Sequence, residues 1–465
     1  MVCVATPIGS MQMATYDKAV ERLYALGHEL HLTPADKFEL KHMRTLTTAL
    51  GDPWKKFACV LVAGTNGKGS TSATLASILR ASGYKAGLYT SPHLVKINER
   101  IRVNGLRIED DAFVSAYEAV GDVAAKLIAQ RELPQIPSFF ETLTAMAFVH
   151  FAKVGVDIAV LEVGMGGRLD ATNVVEPVLS VITDIDLDHQ KYLGNTIGEI
   201  AREKAGIMRK GVPVVMLPQH PLANDVLGRH AIEVEADAVN ASHNMAAVSP
   251  RADEMVQQTA TKLRFQLNVL GEEIEVESPL VGRHQVRNLA LAITGAEVLA
   301  QKGFHITARD IENGVRETVW PGRFQVLEAT AERPTVVFDV AHNSAGAWAL
   351  RSVMTERLGD RPRIFVFGVM RDKAVREIAQ ILFPTAEHVV VTATENSPRA
   401  ASTEELAAIA RDQSVEVTEE ADVRSAVEKA FAIAKNTAAN DDGAAVVVIC
   451  GSIYVVGDAM RLMGV

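Results

Sequence analysis

A glycine-rich segment, GTNGKGST at residues 64–71, directly follows an apolar run, FACVLVA at 57–63. The apolar run is typical of a buried strand, and the residues after the glycines favour a helix over about 68–82. Between a strand and a helix, glycines let backbone amides surround phosphate oxygens, and the helix dipole attracts the same anions. Lys68 would add a mobile positive charge for the outer phosphates. We therefore predict a nucleotide-binding loop that comprises Gly64, Thr65, Asn66, Gly67, Lys68, Gly69 and Ser70.

The loop departs from the strict P-loop pattern G-x-x-x-x-G-K-[ST] at two positions. Val62 stands where the first glycine belongs, and Gly69 directly follows the lysine. By itself the segment therefore indicates nucleotide binding and names no reaction. A plain glycine-rich turn between a strand and a helix is the alternative interpretation.

Further blocks of polar and glycine residues recur in order along most of the chain. The blocks are YTSPHL (89–94), INERI (97–101), FFETLTA (139–145), LEVGMGGRLDATN (161–173), DHQKYLGNTIGEIAREKAGI (188–207), LVGRHQVRNLALA (280–292), WPGRF (320–324), DVAHN (339–343), SPRA (397–400) and GSIYVVG (451–457). Together with the glycine-rich loop, they resemble the Mur ligase superfamily and, within it, folylpolyglutamate synthase/dihydrofolate synthase.

The resemblance implies an ATP-dependent ligase that joins L-glutamate to a folate-type carboxylic acid. Since a carboxylate is a poor electrophile, transfer of the γ-phosphoryl group of ATP would first give an acyl phosphate. The amine of glutamate would then displace phosphate and form the amide. Bringing these anions together requires Mg²⁺ and fixed cations. Whether a monovalent cation such as K⁺ assists stays open.

The resemblance also assigns metal ligands and one unusual lysine. Ser91, Glu141 and His189 match the expected ligands of Mg²⁺, which prefers oxygen and tolerates one imidazole. Taken singly, they have structural alternatives, which are a plain turn, a surface acid and a hydrogen-bonded loop histidine. Lys204 matches a catalytic lysine that CO₂ commonly carbamylates in this superfamily, and the carbamate then serves as a metal ligand. Its alternative is a surface pair with Glu203.

Residues of the second half of the chain are expected to contact ATP and the incoming amine. Asn288 resembles a nucleotide contact of the family, and Arg323 resembles the arginine that reaches the phosphates. Asp339 and His342 in DVAHN resemble catalytic residues that position the phosphates and the amine, at the carboxyl end of a strand. The family usually has glycine where Val340 stands, which leaves the local geometry open. Asp339 could alternatively cap the following helix.

The acceptor is indicated by GGRLDATN at 166–173, which resembles the version found in members that also accept dihydropteroate. Phe140 would stack on a pterin ring, while Arg168 and Asp170 would hydrogen-bond near it. A salt bridge between Arg168 and Asp170 is the structural alternative. We therefore predict an enzyme that uses dihydropteroate and reduced folate. The segment 22–40 is only loosely similar to the folate-side loop of the family.

Apolar, β-branched runs alternate with helix-like segments, which is typical of parallel strands covered on both faces. Between the two series of runs, a pair of alternating strands joined near Gly271 precedes a helix at 286–302. Strands are expected at 57–63, 157–163, 177–185, 211–217, 335–341, 363–369, 387–394 and 444–450.

A chain of 465 residues exceeds one ordinary core, so we predict two α/β domains. Residues 1–15 would be an extension, and residues 16–322 a P-loop-type ATPase domain with a mostly parallel sheet. Residues 323–465 would form a smaller Rossmann-like α/β domain. The active site is expected in the cleft between the two domains.

Composition narrows the class of protein further. The formal net charge of −10 argues against nucleic acid and anionic membranes as partners. Three cysteines without a C-x-x-C pair give no disulfide framework. The uncharged run at 443–457 is shorter than the roughly 20 residues that span a bilayer, and the N-terminus has no signal-like apolar segment. We expect a cytoplasmic monomer with small-molecule substrates.

Two other activities stay open at this point. One is a Mur-type ligase for a different carboxylate acceptor, such as a UDP-linked muramyl precursor. No separate UDP-binding domain is expected, because the phosphate loop begins at about residue 64. The other is a P-loop ATPase without ligation, which would leave the second α/β domain unexplained. A non-enzymatic binding module is a third interpretation.

Overall fold

The computed structural model describes residues 15–27, 40–246, 257–258, 262–394, 399–438 and 444–465. Only Thr15 of the predicted N-terminal extension falls within these ranges. Most of the 22–40 segment and part of SPRA lie outside the described residues, so their predicted roles stay predictions.

Fifteen α-helices lie within the described residues. They are α1 (Tyr16–Ala25), α2 (Leu40–Ala49), α3 (Lys68–Ala81), α4 (Asp110–Ala129), α5 (Phe139–Val154), α6 (Gln190–Leu193), α7 (Ile197–Ala205), α8 (Pro221–Glu233), α9 (Arg283–Gln301), α10 (Ala308–Arg316), α11 (Ser344–Leu358), α12 (Val375–Leu382), α13 (Thr403–Asp412), α14 (Val423–Ala438) and α15 (Ile453–Met463).

The same ranges contain seventeen strands. They are β1 (Ala58–Ala63), β2 (Ala86–Tyr89), β3 (Ile101–Val103), β4 (Leu106–Arg107), β5 (Ile158–Glu162), β6 (Leu179–Ile182), β7 (Pro213–Met216), β8 (Asp237–Asn240), β9 (Gln257–Gln258), β10 (Leu263–Val269), β11 (Glu272–Ser278), β12 (Gln325–Leu327), β13 (Thr335–Phe338), β14 (Arg363–Phe367), β15 (His388–Val391), β16 (Glu416–Glu419) and β17 (Val446–Cys450).

The larger sheet has eight strands in the order β4-β3-β2-β5-β1-β6-β7-β8. The six strands from β2 to β8 in this order are parallel, and β3 and β4 form an antiparallel edge. Apolar clusters cover both faces, one beneath α4, α5, α7 and α8 and the other beneath α3, α9 and α10. This arrangement confirms the predicted mostly parallel sheet, because strands buried on both faces are nearly all apolar.

The smaller sheet has six strands in the order β12-β13-β17-β14-β15-β16, all parallel except the edge strand β12. Helices α11, α12 and α13 cover one face, and α14 and α15 cover the other. The predicted hairpin is also present, since β10 and β11 pair antiparallel across Gly271 and pack against α10. The two α/β domains that the sequence predicted are thus both present.

Contacts between the two α/β parts enclose a cleft. Asn343 Nδ2 donates a 2.9 Å hydrogen bond to Asn66 Oδ1, and Lys373 Nζ lies 2.6 Å from Asp188 Oδ1. Gly457 packs so closely that an added Cβ would lie 1.9 Å from the carbonyl oxygen of Leu94. Since the two sheets share no strand, we propose the boundary at residues 322 and 323, in the connection after α10.

Candidate active site

The phosphate loop joins β1 to α3 at the carboxyl edge of the larger sheet, where ligands of open α/β sheets bind. Two loop amides, those of Thr65 and Asn66, donate to the carbonyl oxygen of Asp184, which follows β6. The first bond within α3 runs from Thr71 N to Gly67 O. The amides of residues 68–70 therefore belong to the first helical turn, which has no internal acceptors and can receive an anion.

Glycine is required at the start of this helix. Gly67 has a φ of 88°, a conformation that other residues rarely adopt, and an added Cβ would lie 2.1 Å from Asn288 Oδ1. The Asn288 amide in turn donates to Gln285 Oε1 at 2.9 Å. Asn288 of α9 therefore lies directly against the phosphate loop, and its contact with the nucleotide stays a prediction.

A buried carboxylate faces the loop from the end of β5. Glu162 Oε2 accepts a 3.3 Å hydrogen bond from the Ser91 amide, and the side chain is only 4% exposed. Burial raises the pKa of the Glu162 carboxyl to about 7, against the opposing effects of Lys68, the Ser91 amide and Arg323. The Glu162 carboxylate has too little positive charge around it, and it lies beside Ser91. Carboxylate and hydroxyl oxygens together suit Mg²⁺ as ligands.

The sequence prediction named Glu141 as a metal ligand and did not single out Glu162. The structure uses the Glu141 carboxylate to cap α5, where Oε2 accepts from the Ser138 amide at 2.8 Å and from Ser138 Oγ at 2.7 Å. Ser138 and Glu141 thus have the S-x-x-E spacing of a capping box. The signal for Glu162 was its place as the last residue of a buried apolar strand, where a charge is costly unless it has a function.

His189 follows β6 and lies in a cluster that spans both domains. Its amide donates to Asp188 Oδ1 at 2.8 Å, and its Nε2 lies 3.9 Å from Asp188 Oδ2. Burial lowers the pKa of His189 to about 3, against the pull of Asp188, and the charges of Lys373 and Lys68 lower it further. A neutral imidazole is the form that binds metals.

Asp188 connects His189 to the second domain. Burial opposes ionisation of the Asp188 carboxyl, but the neighbouring imidazoles of His342 and His189 and the charge of Lys373 hold its pKa far below the usual range. His342 Nε2 lies 3.8 Å from Asp188 Oδ2, while its Nδ1 lies 3.1 Å from the carbonyl oxygen of Val340. The predicted residues His189 and His342 are therefore brought together through an aspartate that the sequence did not single out.

Lys204 is deeply buried and reaches the phosphate loop. Its Nζ donates to the carbonyl oxygen of Gly64 at 2.7 Å, and the side chain is 4% exposed. Burial and then the charge of Lys68 lower the pKa of Lys204 to about 7. The alternative of a surface pair with Glu203 is not observed, because Glu203 pairs with Arg168 at 2.9 Å.

The three residues predicted to contact the acceptor lie around residues 164–170. The Phe140 ring packs on Gly164, where an added Cβ would lie 2.4 Å from Phe140 Cζ. Asp170 Oδ1 accepts from Thr172, and its Oδ2 accepts from the Met165 amide at 3.0 Å. The structure thus contains no Arg168–Asp170 salt bridge, since Asp170 organises its own loop. The Arg168 guanidinium instead pairs with Glu203, as described above.

Arg323 and Asp339 lie where the second domain meets the cleft. Burial lowers the pKa of Arg323, against the opposing effects of Asp339 and Glu162, which places its charge near both carboxylates. Asp339 accepts from the amides of Phe324 and Ala341 at 2.8 and 2.9 Å. It does not cap α11, because Asn343 accepts from the Gly346 amide at that helix start.

Val340 is accommodated without disturbing the cleft. Its side chain is buried in the core of the second domain, and its amide donates to the carbonyl oxygen of Gly322 at 3.0 Å. The valine therefore packs inward, and the neighbouring Asp339 and His342 keep their contacts.

The unusual Gly69 has a packing explanation. Trp320, in the connection between the domains, lies against this residue, and an added Cβ would approach Trp320 Cζ2 to 2.6 Å. The Arg102 guanidinium also packs on the indole, 5.5 Å from the ring centroid. Gly69, Ser91, Glu162, Trp320 and Arg323 line one cleft. The departure from the strict P-loop thus makes room for the connection between domains.

Comparison with known families gives a consistent result. The Mur ligase middle domain matches residues 62–296, and the Mur ligase, glutamate ligase domain matches residues 322–453. The chain is also 38% identical over 369 residues to dihydrofolate synthase/folylpolyglutamate synthase of Bacillus subtilis, with 79% of this chain and 83% of that protein covered.

Solved structures agree over nearly the whole chain. Mycobacterium tuberculosis folylpolyglutamate synthase complexed with ADP matches with a TM-score of 0.86 and 33% identity, covering 96% of this chain and 98% of that chain. Escherichia coli FolC in complex with DHPP and ADP matches with a TM-score of 0.78 and 29% identity, covering 96% and 97%.

A phosphate loop on one α/β domain, faced across a cleft by a glutamate ligase domain, defines an ATP-dependent ligase of the Mur type. Within this class the chain belongs to the dihydrofolate synthase/folylpolyglutamate synthase family. The resemblance found in the sequence is thereby confirmed. Among the residues that the structure describes, no helix has the length and apolar character needed to cross a membrane.

The contact between Gly69 and Trp320 makes a first prediction. Gly69→Ser would match the strict P-loop pattern at this position, yet we expect it to raise the KM for ATP about tenfold, because overpacking costs roughly 1–3 kcal/mol. Steady-state phosphate release at varied ATP concentration measures this. The double variant Gly69→Ser, Trp320→Ala should have a KM for ATP close to that of Trp320→Ala alone. Equal impairment with and without the indole would show that the clash is not the cause.

Proposed function

We propose that this protein joins L-glutamate to dihydropteroate and to the γ-carboxylate of tetrahydrofolate, with ATP as the phosphoryl donor. The observation that carries the proposal is the path of the chain after β5. Glu162 ends the strand beside the phosphate loop, and the next residues, 164–170, pass the Phe140 ring on the acceptor side. An acceptor carboxylate can therefore approach the γ-phosphoryl group. The Bacillus subtilis relative carries both activities in its name, which supports two acceptors.

The phosphoryl step depends on positioning and charge. The amides at the start of α3 and the Lys68 ammonium would hold the phosphates of ATP, and Arg323 would approach them from the second domain. The acceptor carboxylate then attacks the γ-phosphorus, ADP leaves, and an acyl phosphate forms. Arg323 suits this position because it carries a fixed positive charge near Asp339 and Glu162.

The amide forms when the glutamate amine attacks the acyl carbon and phosphate leaves. Asp339 and His342 follow β13 at the carboxyl edge of the smaller sheet, and we assign them to positioning of the phosphates and the amine. His342 is held towards Asp188 on the opposite domain. Asp339 and His342 therefore act together only when both domains face the same cleft.

Ser91, Glu162 and His189 fit a magnesium site, and Glu162 takes the place that the sequence had given to Glu141. When bound, Mg²⁺ would screen the negative charge of the phosphates. The protein side of this arrangement is prepared, because Glu162 is buried with a raised pKa and His189 is held neutral. A role for K⁺, a monomeric state and a cytoplasmic location stay predictions of the sequence.

Lys204 is proposed to carry a carbamate. Carbamylation needs an unprotonated amine, and burial next to Lys68 makes that form accessible near neutral pH. The carbamate would replace a buried positive charge with a negative one, close to Lys68 and Gly64. The Lys68 ammonium and the buried Lys204 carbamate would then attract each other.

The acceptor is tested by phosphate release with ATP and glutamate, in the presence of dihydropteroate or tetrahydrofolate. We expect release to require glutamate and either acceptor, and mass spectrometry to find one added glutamate per phosphate. Release without any acceptor would indicate an ATPase. Turnover with a UDP-linked muramyl acid but neither pterin would instead favour the other Mur-type ligase.

The two glutamates are separated by a matched pair of isosteric variants. Glu162→Gln should lower kcat by about 10²-fold or more, because it removes a charge at the reacting phosphates. Glu141→Gln keeps the hydrogen bonds of the helix cap, so its kcat should stay within about threefold of the parent. Dependence on Mg²⁺ concentration is the second measurement, and only Glu162→Gln should change it. The opposite ranking would return the metal ligand to Glu141.

Carbamylation is tested by ¹³C NMR of the protein in ¹³C-bicarbonate. We expect a carbamate signal that is lost in Lys204→Ala, together with a fall in kcat of about 10²-fold that formate or acetate partly restores. Lys210, an exposed lysine on the same domain, provides the control as Lys210→Ala. A parent protein that ligates without any carbamate signal contradicts the proposal.

A further inference from the structure

A bridge of three side chains supports the turn that carries Ser91. Tyr24 of α1 places its hydroxyl 3.1 Å from His93 Nε2, and Arg100 Nε donates to His93 Nδ1 at 2.9 Å. The carbonyl oxygen of Arg100 also accepts from the Thr90 amide at 3.0 Å. Arg100 therefore contacts the turn at both of its ends, on either side of Ser91.

The donors of this bridge fix the orientation of the histidine. Because an arginine N–H can only donate, His93 Nδ1 must accept, and a neutral ring then carries its proton on Nε2. That proton points to Tyr24 Oη. A rotated ring would lose both contacts, so the imidazole of His93 is held from two opposite sides by elements outside the turn.

The bridge rests on the start of α5, on the acceptor side of the cleft. Tyr24 stacks on Phe139 with ring centroids 5.5 Å apart, and the Arg100 guanidinium lies 5.2 Å from the Phe139 centroid. Phe139 and Arg100 are 2% and 3% exposed, so this contact is a dry one. The next residue, Phe140, is the ring expected to meet the pterin.

We propose that Tyr24, His93 and Arg100 are positioning residues that hold the Ser91 turn in register with the acceptor side of the cleft. This inference rests on the proposed function. The phosphate loop itself is held by other groups, since Asp184, Asn288 and Lys204 support it. Loss of the bridge should therefore impair the approach of the acceptor carboxylate to the γ-phosphoryl group, while ATP binding stays largely intact.

The helix α1 supplies a matched pair of variants. Tyr24→Phe removes the hydroxyl that meets His93 and keeps the stacked ring. Tyr16→Phe removes a hydroxyl that donates to Asn98 Oδ1 at 2.5 Å, a contact from the same helix to the 3₁₀ segment Ile97–Arg100 that bypasses His93. Both variants lose one side-chain hydrogen bond, so a purely structural role predicts similar effects.

We expect Tyr24→Phe to lower kcat with dihydropteroate at least about fivefold, the equivalent of one hydrogen bond, and to leave the KM for ATP within about twofold. Tyr16→Phe should leave kcat and both KM values within about twofold. His93→Gln, which can still accept from Arg100 and donate towards Tyr24, should keep more activity than His93→Ala. Thermal unfolding of each variant shows whether it is folded.

The outcomes separate the possible failures. Equal kinetic effects of Tyr24→Phe and Tyr16→Phe, or changes in thermal stability alone, overturn the positioning role. A rise in the KM for ATP that accounts for the whole effect of Tyr24→Phe overturns it as well. A parent protein that shows no ligation with either pterin defeats the proposed function instead, before any variant is compared.

Discussion

Charge buried at one edge of the larger sheet is the constraint on which the site depends. Glu162 and Lys204 lie in the interior where β1, β5 and β6 end, and the half-buried Lys68 lies beside them. A buried charge is costly there without partners. The parallel order of these strands brings their carboxyl ends together, so the charges can face one another. The protein thus contains a group of ionisable side chains whose charges do not balance. Binding of the anionic substrates and of Mg²⁺ would balance these charges.

The second domain contributes charged side chains of its own to this group, in addition to covering it. Lys373 and His342 reach Asp188, and the charge of Arg323 lies near Asp339 and Glu162. The attraction between two charged or hydrogen-bonded groups is stronger when both are shielded from water. Such contacts therefore favour a defined arrangement of the two sheets. Trp320 adds an apolar contact at the start of α3, so the connection between the domains is itself part of the cleft.

Much of the fold was accessible from the sequence because it depends on local patterns. Apolar runs predicted the buried strands, and the glycine-rich turn before Lys68 predicted the start of α3. Short strands such as β4, β8 and β16 were not predicted, because exposed polar residues of that length carry little periodicity. The structure also placed Lys204 against the loop, where the sequence alone allowed a surface pair.

The missed parts of the site are those that depend on distant contacts. The carboxylates of Glu141 and Glu162 both follow apolar residues, and only the fold shows that one caps a helix while the other faces Ser91. The partnership of Asp188 with Lys373 joins different domains, so no local pattern could reveal it. His93 likewise has partners in α1 and beside β3, which only the fold brings together.

The close contact of Gly457 with Leu94 has a consequence for how the enzyme could be divided. Leu94 continues the turn of Ser91 and His93, and the helix α15 that presses on it lies near the opposite end of the sequence. A fragment limited to the phosphate-binding domain would therefore lack the helix that packs against one side of this turn. The larger domain is consequently a poor candidate for an autonomous nucleotide-binding module that could be transplanted into another protein.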